Sequence, residues 1–296
     1  MPDGRDYEEY IMIEINGKTR TCGLLGDPVE HTKSPNIHNT LAELTGHNIA
    51  YVPFLVRQEN IESALRGAYD LNILGMNATV PHKSVVIPFL KEIDPLAEKI
   101  GAVNTLVRVD GGYKGYNTDM TGLLRALKSE GIDPAQKKVI ILGAGGAARA
   151  VAYLCASLGA NPIYLLNRSV EKAVKIADEV NKACNSDIIP MALDKFAEIP
   201  GEDYLCLQCT SVGLHPNVDE VVIEADAFYE KVSEGFDLIY KPEETKFMKL
   251  VKAHGGKAYN GLKMLLYQGI DAYELWNDCK VTEEQAEVVR KVLLQA

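Results

Sequence analysis

Residues Val139-Ile140-Ile141-Leu142-Gly143-Ala144-Gly145-Gly146-Ala147-Ala148-Arg149-Ala150 constrain this chain more than any other stretch. An unbroken apolar run passes through glycines straight into an alanine-rich, helix-forming segment. In a parallel β–α unit, main-chain N–H groups and a helix N-terminus at this point hold a pyrophosphate without a side-chain cation. The spelling departs from G-x-G-x-x-G, with Ala147 and Ala148 after Gly146 and Ala150 as the small packing residue. A glycine cluster alone also describes a tight strand–helix turn, so the following strand has to decide. Ile163-Tyr164-Leu165-Leu166 ends in Asn167-Arg168-Ser169, with no Asp or Glu where an NAD enzyme grips the ribose hydroxyls. An arginine there suits a 2′-phosphate through bidentate, charge-assisted hydrogen bonds, and Ser169 and Lys172 stand ready to add contacts. A solvated surface charge is the other reading of Arg168. The expected cofactor is therefore NADP (NADPH), held by Gly143, Ala144, Gly145, Gly146, Ala147, Asn167, Arg168, Ser169 and Lys172.

The same alternation of short apolar runs and amphipathic segments continues on both sides. Upstream, strands are expected at Thr21–Leu25, Ala50–Leu55 and Ile73–Met76, and helices at Pro35–Thr45, Glu59–Tyr69 and Lys83–Leu90. Asp110-Gly111-Gly112 reads as a hairpin turn between Val103–Val109 and Tyr113–Tyr116. A helix over Met120–Glu130 is broken by Gly131-Ile132-Asp133-Pro134. Downstream, strands are expected at Val139–Leu142, Ile163–Leu166 and near Ile188, Leu205 and Leu238, with helices ending near Leu158 and Val180. Gly261–Asn277 and Glu283–Gln295 read as two helices without a strand between them, packing across the two domains.

The fold class is thus α/β. At 296 residues the chain exceeds a single ordinary core. An N-terminal open α/β domain over 1–120, completed by helices in 261–296, is expected beside a Rossmann-type domain over 121–260. No stretch approaches the roughly 20 apolar residues of a membrane span, and Met1 to Tyr10 is acidic and polar, unlike a signal peptide. A cytoplasmic location is expected. The formal charge of −10, from 31 Lys and Arg against 41 Asp and Glu, argues against nucleic-acid or anionic-membrane partners. Six cysteines at 22, 155, 184, 206, 209 and 279 are scattered, and reduced thiols are expected. Cys206 and Cys209 read as opposite faces of one strand, without further ligands at zinc spacing, and no metal is expected. Ile11, Ile13 and Ile15 alternate as an edge strand does.

Polar clusters fall where strands end, which is where ligands sit in open α/β sheets. They are His31-Thr32-Lys33-Ser34-Pro35, Asn77-Ala78-Thr79-Val80-Pro81-His82-Lys83, Ala102-Val103-Asn104-Thr105, Asn117-Thr118-Asp119, Asp237-Leu238-Ile239-Tyr240-Lys241-Pro242 and Gly261-Leu262-Lys263-Met264-Leu265-Leu266-Tyr267-Gln268. Together with the glycine loop and Asn167-Arg168-Ser169, these resemble the shikimate dehydrogenase family in order and spacing from about Thr21 onward. The resemblance implies NADPH-dependent reduction of the ring ketone of 3-dehydroshikimate to shikimate. It assigns proton transfer to Lys83, with Asp119 beside it. It places Thr32, Ser34 and Tyr240 on the substrate carboxylate and Thr79, Asn104, Asp119 and Gln268 on ring hydroxyls. Thr210, Leu238 and Gly261 join the cofactor contacts, and a homodimer through the N-terminal sheet is implied.

The chain departs from the family pattern in places. Thr32 stands first in the usual Ser-x-Ser-Pro, which keeps a hydroxyl and adds a methyl. Gln208-Cys209-Thr210-Ser211 stands where Asn-Ala-Thr-Ser is common, and the loop is expected to keep its path. Two other functions compete. An NAD-dependent quinate/shikimate dehydrogenase is opposed by Arg168 and the missing strand-end acid, and a noncatalytic NADPH-binding regulator is opposed by the retained Lys83 and Asp119.

Overall fold

The computed structural model describes residues 14–135 and 137–295. The chain divides into two compact units, residues 1–116 with 269–296 and residues 117–268. These boundaries, at 116/117 and 268/269, differ from the sequence-based division at 120/121 and 260/261. Of the alternating isoleucines, Ile11 and Ile13 lie outside the described residues, while Ile15 is exposed ahead of the first strand.

In the first unit β1 (Arg20–Gly26) leads to α1 (Ser34–Thr45), β2 (Ile49–Leu55), α2 (Ile61–Asp70) and β3 (Gly75–Ala78). Gly46, at φ 70°, closes α1 by donating its N–H to Glu43 O at 3.1 Å. The expected helix at 83–90 is instead one turn, α3 (His82–Val85), followed by a 3₁₀ turn over Ile87–Phe89. Pro88 accounts for the difference, because it has no N–H to continue the ladder. Two elements escape the apolar pattern by their brevity, β4 (Glu92–Ile93) and α4 (Pro95–Ile100). Asp94 caps α4, its carboxylate accepting from Leu96 N at 2.9 Å. The hairpin forms as β5 (Thr105–Val109) and β6 (Gly112–Tyr116). Strand order is β2-β1-β3-β5-β6-β4, parallel through β2, β1 and β3 and antiparallel at β3–β5 and β5–β6.

The second unit opens with α5 (Thr118–Ser129), capped by Asn117, whose Oδ1 accepts from Met120 N at 3.2 Å. It continues with β7 (Val139–Leu142), α6 (Gly146–Ser157), β8 (Ile163–Asn167), α7 (Val170–Cys184), β9 (Ile188–Ala192) and β10 (Tyr204–Gln208). Then come α8 (Asp226–Tyr229), β11 (Val232–Asp237), α9 (Lys246–Ala253) and β12 (Lys257–Tyr259). All six strands are parallel in the order β12-β11-β10-β7-β8-β9. This is the doubly wound arrangement, its order reversing between β7 and β10. Every residue of β7 is 0% exposed, as a parallel strand with both faces covered requires. Cys206 lies within β10, but the strand ends at Gln208, so Cys209 is outside it. All six cysteines are free thiols.

The unit boundary falls within α10 (Leu262–Asn277), whose residues through Gln268 count with the second unit and the rest with the first. In the first unit Trp276 packs where Gly75 leaves room, since a Cβ at Gly75 would sit 2.2 Å from its indole nitrogen. Trp276 Nε1 donates to Leu106 O at 2.9 Å. The last helix, α11 (Glu283–Gln295), packs on α1, and Lys33 Nζ donates to Leu293 O at 3.1 Å.

Candidate active site

Pairing Leu25 with Ala78 and Asn77 with Thr105 aligns the C-terminal ends of β1 and β3 with the start of β5. All the expected substrate residues of the first unit stand on or beside that edge. Ser34 opens α1, and Thr32 precedes it. Thr32 Oγ1 accepts from Ser34 N at 3.2 Å and donates to Ser34 Oγ at 3.1 Å, which joins the two hydroxyls. Thr79 follows β3, its N–H donating to Leu25 O at 2.9 Å and its carbonyl accepting from His82 N at 2.7 Å. A Cβ on Gly26 would lie 2.6 Å from Thr79 Cγ2, so that close approach requires a glycine. Lys83 O accepts from Val103 N at 2.7 Å, which ties the lysine's turn to the segment that carries Asn104 into β5.

Behind this edge lies a buried hub that the sequence reading did not single out. Asn77 Oδ1 accepts from Tyr51 Oη at 2.8 Å and from His38 Nε2 at 3.1 Å. Its Nδ2 donates to Asn104 O at 3.2 Å and to Thr105 Oγ1 at 3.1 Å, and Thr105 Oγ1 donates to Asn104 Oδ1 at 3.1 Å. The hub therefore orients the Asn104 amide. Burial pushes His38 down to about 3, so the ring is neutral, with its proton on Nε2 and Nδ1 unpartnered. The ring stacks on Tyr51 at 4.2 Å and meets Trp276 at 4.9 Å. Burial raises the Tyr51 phenol far above its ordinary range, against a hydrogen bond with Ser34. Asn77 does carry a sequence signal, a polar residue inside an apolar run, but the same pattern marks the end of a strand.

In the second unit, Asp119 lies in the first turn of α5, and Gln268 on α10 donates Nε2 to Leu265 O at 2.8 Å. The two helices approach through Gly122, where a Cβ would stand 2.5 Å from Gln268 N. Gly122 follows Asp119 by three residues, on the same helical face, so Asp119 and Gln268 flank one close crossing.

The expected cofactor residues gather at the C-terminal ends of β7, β8, β10 and β11. Gly143 has φ 111°, and a Cβ there would meet Thr210 Cγ2 at 2.9 Å, so both conformation and space demand glycine. Gly145 and Gly146 would meet nothing within 4 Å and, with Ala147, are exposed at the start of twelve-residue α6. An open helix N-terminus bearing only hydrogen or methyl side chains fits a pyrophosphate. Asn167 ends β8, its Nδ2 donating to Ser169 O at 2.9 Å, and Arg168 and Lys172 are exposed beside it. Ser169 Oγ donates to Glu171 Oε2 at 2.8 Å, so a carboxylate stands one turn beyond the strand tip where none was expected. Backbone and Ser169 hydrogen bonds hold that carboxyl below its ordinary value. Leu238 N donates to Gln208 O at 3.0 Å and Gly261 N to Ile239 O at 2.9 Å. A Cβ on Gly261 would fall 2.1 Å from Leu238 O. Tyr240 is half-buried, which raises its phenol. Among the described residues, no group of three or more His, Cys, Asp or Glu is placed to hold a metal ion.

Comparison with known proteins bears on both edges. The family described as shikimate dehydrogenase substrate binding domain matches residues 24–106, and that described as shikimate / quinate 5-dehydrogenase matches residues 126–199. A shikimate dehydrogenase (NADP(+)) from Desulforamulus reducens is 44% identical over 265 residues, covering 88% of this chain and 91% of its own. A crystal structure of a shikimate dehydrogenase in complex with NADP+ superposes with a TM-score of 0.87 at 39% identity, over 95% of this chain and 97% of that one. The Listeria monocytogenes shikimate 5-dehydrogenase, in complex with shikimate and NAD, reaches 0.86 at 30% identity, over 94% and 98%.

Proposed function

The chain belongs to the shikimate dehydrogenase family, and from that premise we infer that it reduces the ring ketone of 3-dehydroshikimate to shikimate, reversibly, with NADPH. It is an NADP-dependent oxidoreductase of CH–OH groups, serving the biosynthesis of chorismate and the aromatic amino acids. The observation that carries the reading is the exposed glycine turn on α6, with Arg168 at the neighbouring strand tip. NADPH bound there supplies the hydride. The main chain of Gly143, Ala144, Gly145, Gly146 and Ala147 takes the pyrophosphate, while Asn167, Arg168, Ser169 and Lys172 take the phosphorylated ribose. Thr210, Leu238 and Gly261 complete the cofactor site.

Reducing a ketone leaves negative charge on its oxygen, so Lys83 Nζ gives that oxygen a proton and takes it back in reverse. Asp119 is the carboxylate that the family resemblance assigns to the same chemistry. Thr32, Ser34 and Tyr240 hold the substrate carboxylate, and Thr79, Asn104, Asp119 and Gln268 hold ring hydroxyls. Residues 1–116 with the C-terminal helices form the substrate domain, and the parallel sheet forms the NADP domain.

The same reading makes the protein a cytoplasmic homodimer. Free cysteines and the lack of any helix long and apolar enough to cross a membrane, among the described residues, accord with that location. Among the described residues, β2 ends its sheet with Val52 and Leu55 exposed, an edge suited to pairing. Sedimentation would check the dimer. Following nicotinamide absorbance with shikimate and quinate against NADP and NAD tests the activity. Turnover is expected with shikimate and NADP; a folded protein that binds NADPH yet turns over neither substrate would leave the regulator in its place.

A further inference from the structure

Both loops that follow β10 and β11 hang from one buried pair of side chains. Gln208 and Asp237 are the last residues of those strands, in register with one another, and are 1% and 0% exposed. Thr210 N donates to Gln208 Oε1 at 2.6 Å, which fixes the direction of the amide. Its Nε2 is shared among Thr210 O and Val212 O, both at 3.3 Å, and Asp237 Oδ1 at 3.2 Å. Asp237 Oδ1 also accepts from Ile239 N at 2.9 Å, and Oδ2 accepts from Thr245 Oγ1 at 2.7 Å. Thr245 in turn caps α9, accepting from Met248 N at 3.3 Å. Thr210 Oγ1 accepts from Val212 N at 3.1 Å, an anchor that leaves its own hydrogen for another partner.

We propose that Gln208 and Asp237 are positioning residues: their shared hydrogen bond locks the Thr210 loop to the Leu238–Tyr240 loop, setting cofactor and substrate contacts as one unit. This rests on the reading of Thr210, Leu238 and Tyr240 as those contacts. Burial pushes the Asp237 carboxyl up to about 6 against the pull of its three hydrogen bonds. A corner that only had to be filled is served better by an apolar side chain, since a buried carboxyl and amide cost stability unless fully satisfied. Here each acceptor and donor is directed at a loop backbone or its neighbour's side chain. Gln208 is also where this chain departs from the family's common Asn. The added methylene extends the amide toward Val212 and Asp237 together.

The test uses the whole chain with Gln208→Met, which keeps length and removes the amide, Asp237→Leu, which keeps the branch and removes both oxygens, and the double variant. Turnover is followed with NADP and with shikimate carrying deuterium at the carbon that loses hydride. We expect each single variant to lose roughly 10- to 100-fold in kcat/KM, the scale for misplaced reacting groups, with a larger isotope effect on kcat and cooperative unfolding retained. The double variant should lose less than the product of the two single losses, because both remove the same link. Losses that multiply, or an unchanged isotope effect, would overturn the proposal. Gln208→Asn keeps an amide and shortens its reach, so it carries the same test if Gln208→Met does not fold, with a smaller loss expected. A parent enzyme without turnover defeats the proposed function instead, so the two failures are distinguishable.

Discussion

The proposed substrate edge of the first unit and the proposed cofactor edge of the second are built from different materials. At the first, side chains do the positioning: Asn77 uses both lone pairs of its oxygen and both hydrogens of its nitrogen, all inside the core. At the second, the main chain around Gly145 and Gly146 is bare, and Arg168 and Lys172 project from exposed positions. Buried groups with every bond made are preorganised, and disturbing one changes the geometry of its neighbours. Exposed cations act as charges, screened by salt and nearly independent of one another. Substitutions at the first edge should therefore change chemistry and substrate affinity, whereas those of the exposed charges at the second should change cofactor choice.

The largest effect is expected at Lys83. Lys83→Ala should lower turnover by roughly 10²- to 10⁴-fold, the usual scale for general acid–base catalysis, while NADPH titration stays close to the parent. Near-normal turnover in a folded variant would remove proton transfer from this edge and break the comparison outright.

Next comes Arg168→Ala, which should weaken NADP by roughly ten- to a hundredfold, as expected for about 1.5–3 kcal/mol of charge-assisted hydrogen bonding. NAD should change far less, and the difference should narrow as salt is raised. Equal losses for both cofactors would mean that Arg168 serves the fold.

Thr32 follows with a smaller effect. Its hydroxyl is already engaged with Ser34 as donor and acceptor, so part of its influence on a carboxylate passes through Ser34. Thr32→Val should raise KM for shikimate by roughly tenfold, the lower end for a bond to a charged acceptor, with kcat and cofactor affinity little changed. Thr32→Ser should keep both bonds and, with the methyl gone, admit quinate better. An unchanged KM in Thr32→Val would take Thr32 out of the site.

The smallest effect concerns Glu171, whose carboxylate holds the Ser169 hydroxyl. Glu171→Gln removes a negative charge from beside the expected 2′-phosphate and should tighten NADP a few-fold, because exposed charges interact weakly in water. A ratio of NADP to NAD affinity equal to the parent's would show that Glu171 has no part in cofactor choice.

Much of the molecule was legible because its signals are local. Residues Val139 to Ala150 declare strand, turn and helix within one window, and Gly143 is required by its own φ and by a neighbour 2.9 Å away. Short elements were harder. β4 has two residues and β12 three, too few for an apolar period to register, and they are defined by pairing with β6 and β11. Glu171 lies beyond the strand-tip position at which an acid carries meaning, and only the hydrogen bond to Ser169 brings its carboxylate back to that tip.

By itself, the sequence determined the α/β class, the position of the glycine turn, the arginine at the second strand tip and the polar clusters at strand ends. Each depends on backbone preferences or side-chain period within a few neighbouring residues. The tertiary structure alone decided the strand order, the sharing of α10 between units, and which buried polar groups meet. Trp276 reaches Leu106 across 170 positions, Tyr51 and Asn77 meet across 26, and Gln208 and Asp237 meet across 29. Such contacts carry no local pattern: they exist because burying a polar group requires a partner, and only the assembled core brings the partner within reach.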